Sequence, residues 1–171
     1  MKIDLIIRSA TLNDVSVLAD IYRCSWLAAY DGLIPDEAIS NVNSGRDDGC
    51  RKMLADPLSG WHFLALRGNI PVGLLSLCRC RDEADSMFGE IRAIYLRPEY
   101  WRCGYGAKLL RFATETLRTL GFDHTVLWVL QSNLRARRFY EANGFFTDGT
   151  CKHVTIGTLQ TELRYSNSGN G

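Results

Sequence analysis

Residues 98–110 read PEYWRCGYGAKLL, and they follow an alternating apolar run, FGEIRAIYLRP, at 88–98. Alternation is the pattern of a strand, and Pro98 ends it because proline has no N–H to give a neighbouring strand. From Gly104 the spacing changes: Leu109, Leu110, Ala113 and Leu117 fall on one side of a helix that stops at Gly121. The local order is strand, glycine turn, helix. Gly104 and Gly106 let the backbone turn tightly and approach a ligand, and the helix they open offers unpaired N–H groups at its positive end. Such a start is an anion site, although the same glycines also suit a plain tight turn. A charge-assisted amide hydrogen bond is worth roughly 1.5–3 kcal/mol. Several from Cys103, Gly104, Tyr105, Gly106 and Ala107, with Arg102 nearby, would hold a pyrophosphate without a metal. A dinucleotide fingerprint needs a third glycine, and an ATP-binding loop needs Lys-Ser/Thr after the turn; this stretch has neither.

Downstream, DHTVLWVLQ (123–131) reads as a buried strand and NLRARRFYEAN (133–143) as an amphipathic helix stopped by Gly144, with further strands predicted at 145–151 and 153–165. Upstream, WHFLALRGNIPVGLLSLCRC (61–80) reads as a hairpin turning at Gly68 and Asn69, followed by a charged loop, RDEADS. IDLIIR (3–8) is a first strand. Thr11 with Asp14 makes a capping box for a helix whose apolar stripe is Val15, Leu18, Ile21, Tyr22 and Trp26. A second short helix starts near Pro35, and a polar stretch, NVNSGRDDGC (41–50), follows. The order is mixed α/β around a β-α-β unit.

The 171 residues fit one domain over 1–165, with the polar tail SNSGNG (166–171) expected to be disordered. A net charge of +1 gives no global field toward nucleic acid or an anionic membrane, so any bound anion must be held locally. No run approaches the roughly 20 apolar residues of a membrane span. The N-terminus lacks the apolar core and cleavage site of a signal peptide, and a cytoplasmic protein is expected. The six cysteines then read as free thiols. Cys78 and Cys80 lack zinc spacing, so no metal is expected.

EIRAIYLRPEYWRCGYGAKLL, LWVLQSN and ARRFYEANGFF, in that order between residues 90 and 146, resemble the GCN5-related N-acetyltransferase (GNAT) superfamily. The resemblance implies an α/β (α+β) fold: a seven-stranded, mixed, largely antiparallel sheet with flanking helices and a splayed parallel strand pair that takes the pantetheine arm of acetyl-CoA. It also implies transfer of acetyl to an amine by direct attack. Carried over, the backbones of Ile94, Tyr95 and Leu96 meet the pantetheine, and Arg102 to Ala107 meet the pyrophosphate. The Ile94 and Leu96 side chains also suit core packing. Where relatives usually carry Gln or Arg three residues before the first glycine, this chain has Trp101, which puts the role of Arg102 in question while sparing the backbone cradle. Asn133 corresponds to a cofactor contact, and equally suits a helix N-cap. Tyr140 resembles the residue that protonates the departing CoA sulfur, and as a helix aromatic it also suits burial against the sheet.

A base is needed as well, since an alkyl ammonium of pKa near 10 costs roughly 4 kcal/mol to deprotonate at pH 7. Period-2 alternation puts Glu90 on the strand face of Ile94 and Leu96, pointing into the opening as a base; the alternative is a glutamate paired with Arg92 or solvent. His153 is a second candidate. Trp26 and Tyr30, within SWLAAYDGLIP, would wall the acceptor site and attract an ammonium by cation–π contact, or simply pack the core. The acidic run Asp82, Glu83, Asp85 would attract a cationic acceptor or merely be solvated. Cys103 reads as a packed thiol, since no cysteine–histidine pair accompanies it. The acceptor class stays open, from polyamine and aminoglycoside to amino acid and protein N-terminus. Family resemblance allows a homodimer. A non-catalytic acyl-CoA-binding module of the same fold is the competing reading.

Overall fold

A computed structural model of the chain describes residues 4–81 and 87–167. The strands are β1 (Leu5–Ser9), β2 (Trp61–Arg67), β3 (Ile70–Arg79), β4 (Phe88–Leu96), β5 (His124–Leu130), β6 (Phe146–Ile156) and β7 (Thr158–Asn167). They form a seven-stranded sheet in the order β1-β2-β3-β4-β5-β7-β6. Helices α1 (Val15–Ala29), α2 (Asp36–Ser44) and α3 (Arg46–Ala55) precede β2, while α4 (Tyr105–Thr119) and α5 (Leu134–Glu141) follow β4 and β5. Every neighbouring pair is antiparallel except β4 and β5, whose parallel pairing is spanned by α4.

Each sheet face is apolar where a helix lies on it. Leu75, Leu77, Ile91, Leu127 and Val129 meet Leu109, Leu110, Ala113 and Leu117 of α4. Full burial of one such leucine is worth about 2 kcal/mol, and Leu109 and Leu117 are completely buried. Gly89 admits this contact, because a Cβ there would come within 2.6 Å of the Leu117 side chain. On the other face Leu64, Leu74 and Ala93 meet Val15, Leu18, Ile21 and Tyr22 of α1 and Cys50 of α3. The Thr11 N–H and hydroxyl both donate to Asp14, at 2.8 and 3.1 Å, and Arg8 pairs with the same carboxylate at 2.8 Å. The expected capping box thus forms around a short 3-10 turn (Leu12–Asp14) that leads into α1.

Three expectations change. The polar stretch 41–50 is helical, because Cys50 supplies a buried contact and Asp47 and Asp48 lie in the first turn of α3, where negative charge is favoured. The last two strands meet at Gly157 (φ 71) and not near residue 152, with β6 running past a register shift between Thr147 and Cys151. A side chain at 157 would come within 2.7 Å of Ala38 and 3.2 Å of Pro35, so this hairpin turn rests on the start of α2. Ser166 and Asn167, assigned to the tail, pair with Phe146 and Thr125 in the sheet. Residues 168–171 and the acidic run Asp82, Glu83, Asp85 lie outside the described residues.

Candidate active site

Pairing between β4 and β5 covers Phe88–Ile91 and His124–Leu127 and then stops. Against β3, the register of β4 slips so that Ile91 and Ala93 take successive partners and Arg92 is left over. An extra residue in one strand bends it and sharpens its twist, and this bend falls where β4 leaves β5. Beyond it the two strands splay. Arg97 donates its N–H to the Val72 carbonyl at 2.8 Å. Main-chain groups alternate sides along a strand, so those of Tyr95 also face β3 while those of Ile94 and Leu96 face the opening. The Leu96 carbonyl accepts from Trp101 Nε1 and Ser25 Oγ, each at 2.9 Å. That leaves the Leu96 N–H and both main-chain groups of Ile94 toward the opening. Tyr95, expected to contribute its backbone, faces the α1 side with its phenol instead.

At the end of β4 the chain passes Arg102 at φ 60 and Gly104 at φ 80 before α4 begins. The first bond of that helix is Lys108 N–H to the Gly104 carbonyl, 3.3 Å. None of the N–H groups from Cys103 to Ala107 reaches an acceptor among the described residues. A Cβ on Gly106 would meet the Phe139 ring at 3.1 Å, so glycine sets how closely α4 and α5 approach. Arg102 is exposed, and its charge is felt by Arg135, whose guanidinium stacks 3.8 Å over the Trp101 ring. Two cations therefore flank the open amides. Arg135 escaped the sequence reading, because nothing in the spacing tells a surface arginine on α5 from one folded onto the glycine turn; the aromatic at the atypical position 101 was the available signal.

Asn133 is buried and caps α5, its Oδ1 accepting from the Ala136 N–H at 3.1 Å, which leaves the side-chain amide N–H groups for other partners. Tyr140 lies among Phe139, Phe145 and Tyr165. Burial holds its phenol well above the ordinary range, reinforced by Tyr95. The Tyr30 and Tyr95 hydroxyls are 3.1 Å apart, burial lifting the first to about 12 and holding the second well above the ordinary range. Tyr140 acts electrostatically on Tyr30 as Tyr95 does on Tyr140, so phenols from α1, β4 and α5 converge. Trp26 packs edge-on against Tyr30, centroids 4.8 Å apart.

Glu90 is not where alternation put it. Gly89 and Ile91 face α4, and the extra residue at Arg92 resets the count, so Glu90 shares the α1 side with Ala93 and Tyr95. It lies in the paired part of β4, opposite Cys78, 1% exposed, and both carboxylate oxygens are bonded by Arg81. His153 is exposed on β6, 3.2 Å from the Thr161 hydroxyl. A cleft of about 470 Å³ lined by Trp61, Cys78, Arg79 and Arg92 opens at the amino end of β4, opposite the glycine turn. Among the described residues no cluster of His, Cys, Asp and Glu could hold a metal, and no helix is long and apolar enough to cross a membrane.

A splayed parallel pair leading to open amides fits the long, phosphate-bearing thioester of an acyl-CoA. Residues 18–145 match the Acetyltransferase (GNAT) family. The chain belongs to that family and is an acetyl-CoA-dependent acyltransferase. It is 29% identical over 127 residues to the uncharacterized N-acetyltransferase YuaI of Bacillus subtilis, covering 74% of this chain and 72% of that one. It is 26% identical over 148 residues to the spermidine N(1)-acetyltransferase of Thermoplasma acidophilum, covering 84% and 89%. Among solved structures, PaiA N-acetyltransferase from Thermoplasma acidophilum in complex with coenzyme A shares the fold, with TM-score 0.77, 21% identity and 94% and 98% coverage. YncA from Salmonella typhimurium with acetyl-CoA superposes at TM-score 0.67, with 19% identity and coverage of 98% and 96%.

Proposed function

We propose that this chain moves the acetyl group of acetyl-CoA to a primary amine of a small molecule or peptide by direct attack in a ternary complex. The observation that carries the reading is the row of N–H groups from Cys103 to Ala107 left without acceptors at the start of α4. These amides, with Arg102 and Arg135, take the pyrophosphate; Ile94, the Leu96 N–H and the Asn133 amide take the pantetheine. Acetyl-CoA supplies the activated carbonyl. The neutral amine attacks that carbon from the side of Trp26, Tyr30 and Tyr95, so a C–N bond forms as the C–S bond breaks. Tyr140, kept protonated by burial, gives its proton to the departing sulfur. The proton that the attacking nitrogen sheds as the amide forms passes by water toward Glu90, where acceptance requires displacing an Arg81 hydrogen bond, and Tyr140 is reprotonated through water. A relative named for acetylating spermidine supports an amine as acceptor.

A cytoplasmic setting, suited to cysteines outside disulfides, belongs to this proposal, as does assembly into a homodimer at twice the 19.3 kDa chain mass. The test is thiol release from acetyl-CoA across amine classes. Turnover of any amine above the blank supports transfer; CoA binding with no turnover on every class would favour a non-catalytic acyl-CoA module, and absence of CoA binding sinks both.

A further inference from the structure

The aromatic wall at Trp26 already carries a cation, and that cation belongs to the protein. Arg46, the first residue of α3, lays its guanidinium over Tyr22 and Trp26, with Cζ 4.6 and 4.5 Å from the ring centroids. Its Nε donates weakly to Asn43 Oδ1, 3.4 Å. Its Nη2 is buried and has no acceptor, and among the described residues no carboxylate pairs with it. The Trp26 indole N–H beside it is likewise buried; it acts on the Tyr95 phenol but reaches no acceptor in hydrogen-bonding geometry. Two orphan donors around one aromatic ring are costly unless something supplies oxygen atoms. The nearby acids are committed elsewhere: Asp47 to Arg23, and Glu162 to Lys152 at 3.8 Å.

Resting on the transferase reading above, we infer that Arg46 and Trp26 form an anion subsite for a carboxylate on the acceptor, so that the substrates are amino acids and amines of that kind and not polyamines. A carboxylate offers two oxygens with about four lone-pair positions, enough for both donors at once. Water could fill one bond, but it would leave uncompensated a guanidinium whose charge burial disfavours. Position agrees with chemistry. Tyr30 touches Trp26 and hydrogen-bonds Tyr95, and both phenols lie within electrostatic range of Arg46 and Tyr140. An amine a few bonds from a carboxylate seated at Arg46 therefore lies at the phenols. A polyamine would instead bring ammonium groups against a fixed cation and leave both donors unmet.

The test sets the common amino acids against their carboxamides, with spermidine as the polyamine probe, by thiol release at saturating acetyl-CoA. At least one amino acid is expected to exceed its own amide by roughly 10- to 100-fold in kcat/KM. Arg46→Met, which keeps an apolar stem on the rings, should abolish that preference while leaving CoA affinity and Tm unchanged; Arg46→Lys should restore part of it. Amides or spermidine used as well as the acids, no amino acid used at all, or a preference that survives in Arg46→Met would overturn the subsite. Failure of the wild-type protein to bind CoA would be a different result, and would remove the transferase reading beneath it.

Discussion

In the proposed reaction Tyr140 combines a buried ring with a hydroxyl that gives up a proton, and those demands separate in Tyr140→Phe. The ring contacts with Phe145 and Tyr165 persist in the variant. Loss of a general acid typically costs 10²–10⁴-fold, so kcat is expected to fall by about 10²-fold or more with the CoA Kd unchanged in calorimetry. Because burial raises the Tyr140 phenol, its proton stays in place through the neutral range, and the wild-type kcat should show no loss from this group as pH rises from 7 to 9. Glu90→Gln separates base from scaffold. A base is expected to lose kcat at constant Tm; a drop in Tm with kcat intact assigns Glu90 to holding Arg81. Gly106 serves by what it lacks: in Gly106→Ala the new methyl meets the Phe139 ring. Overpacking of this kind costs about 1–3 kcal/mol, and weaker CoA binding should accompany the lower stability. Unchanged affinity would show that the cradle tolerates a displaced α5.

At the scale of elements, the Arg8–Asp14 pair closes the entry to α1 and makes a pH-dependent contribution. The Arg8 guanidinium beside Asp14 holds its carboxyl near 2, against 3.8 unperturbed. A depressed carboxylate stabilises the fold above its unfolded value and loses that contribution as pH falls through the folded one. With Arg8 partly exposed, water and salt screen the pair and keep its contribution modest. Asp14→Asn should therefore unfold at lower denaturant than wild type at pH 7, and the gap should close between pH 4 and pH 2. How far elements were legible in the residues follows the same physics. Local signals held, as with Gly68 (φ 61) turning the β2–β3 hairpin and Pro98 stopping β4. What failed depends on neighbours distant in sequence. The extra residue at Arg92 exists only relative to β3, so alternation carried through it put Glu90 on the wrong face. Likewise α3 has little apolar periodicity of its own and is placed by packing on α1. The turn into α4 was readable because glycine spacing acts locally, whereas Arg46 and Arg135 gain meaning only once α3 and α5 have docked.

For the whole molecule, ligand binding and folding are linked. In the proposed complex, acetyl-CoA bridging β4, α4 and α5 would add stability to the native state alone, about 2.7 kcal/mol at 100 times Kd. For a chain of this length that is a rise in Tm of roughly 5–10 °C. CoA and acetyl-CoA should both produce it in a thermal melt, while ATP and NAD at equal concentration should not. A larger shift with ATP or NAD would point to a nucleotide enzyme. The proposed function implies a division of labour across the sheet: the α4–α5 face would handle the acyl donor, and the α1–α3 face, with the β6–β7 turn, would enclose the acceptor. Because Gly157 sits directly on Pro35 and Ala38, any bulkier residue there acts as a wedge at the rim, prying the hairpin from α2 beside Trp26 and Tyr30 and sparing the glycine turn. The width of the acceptor mouth can therefore drift by single mutations at its edge while the machinery for acetyl stays untouched.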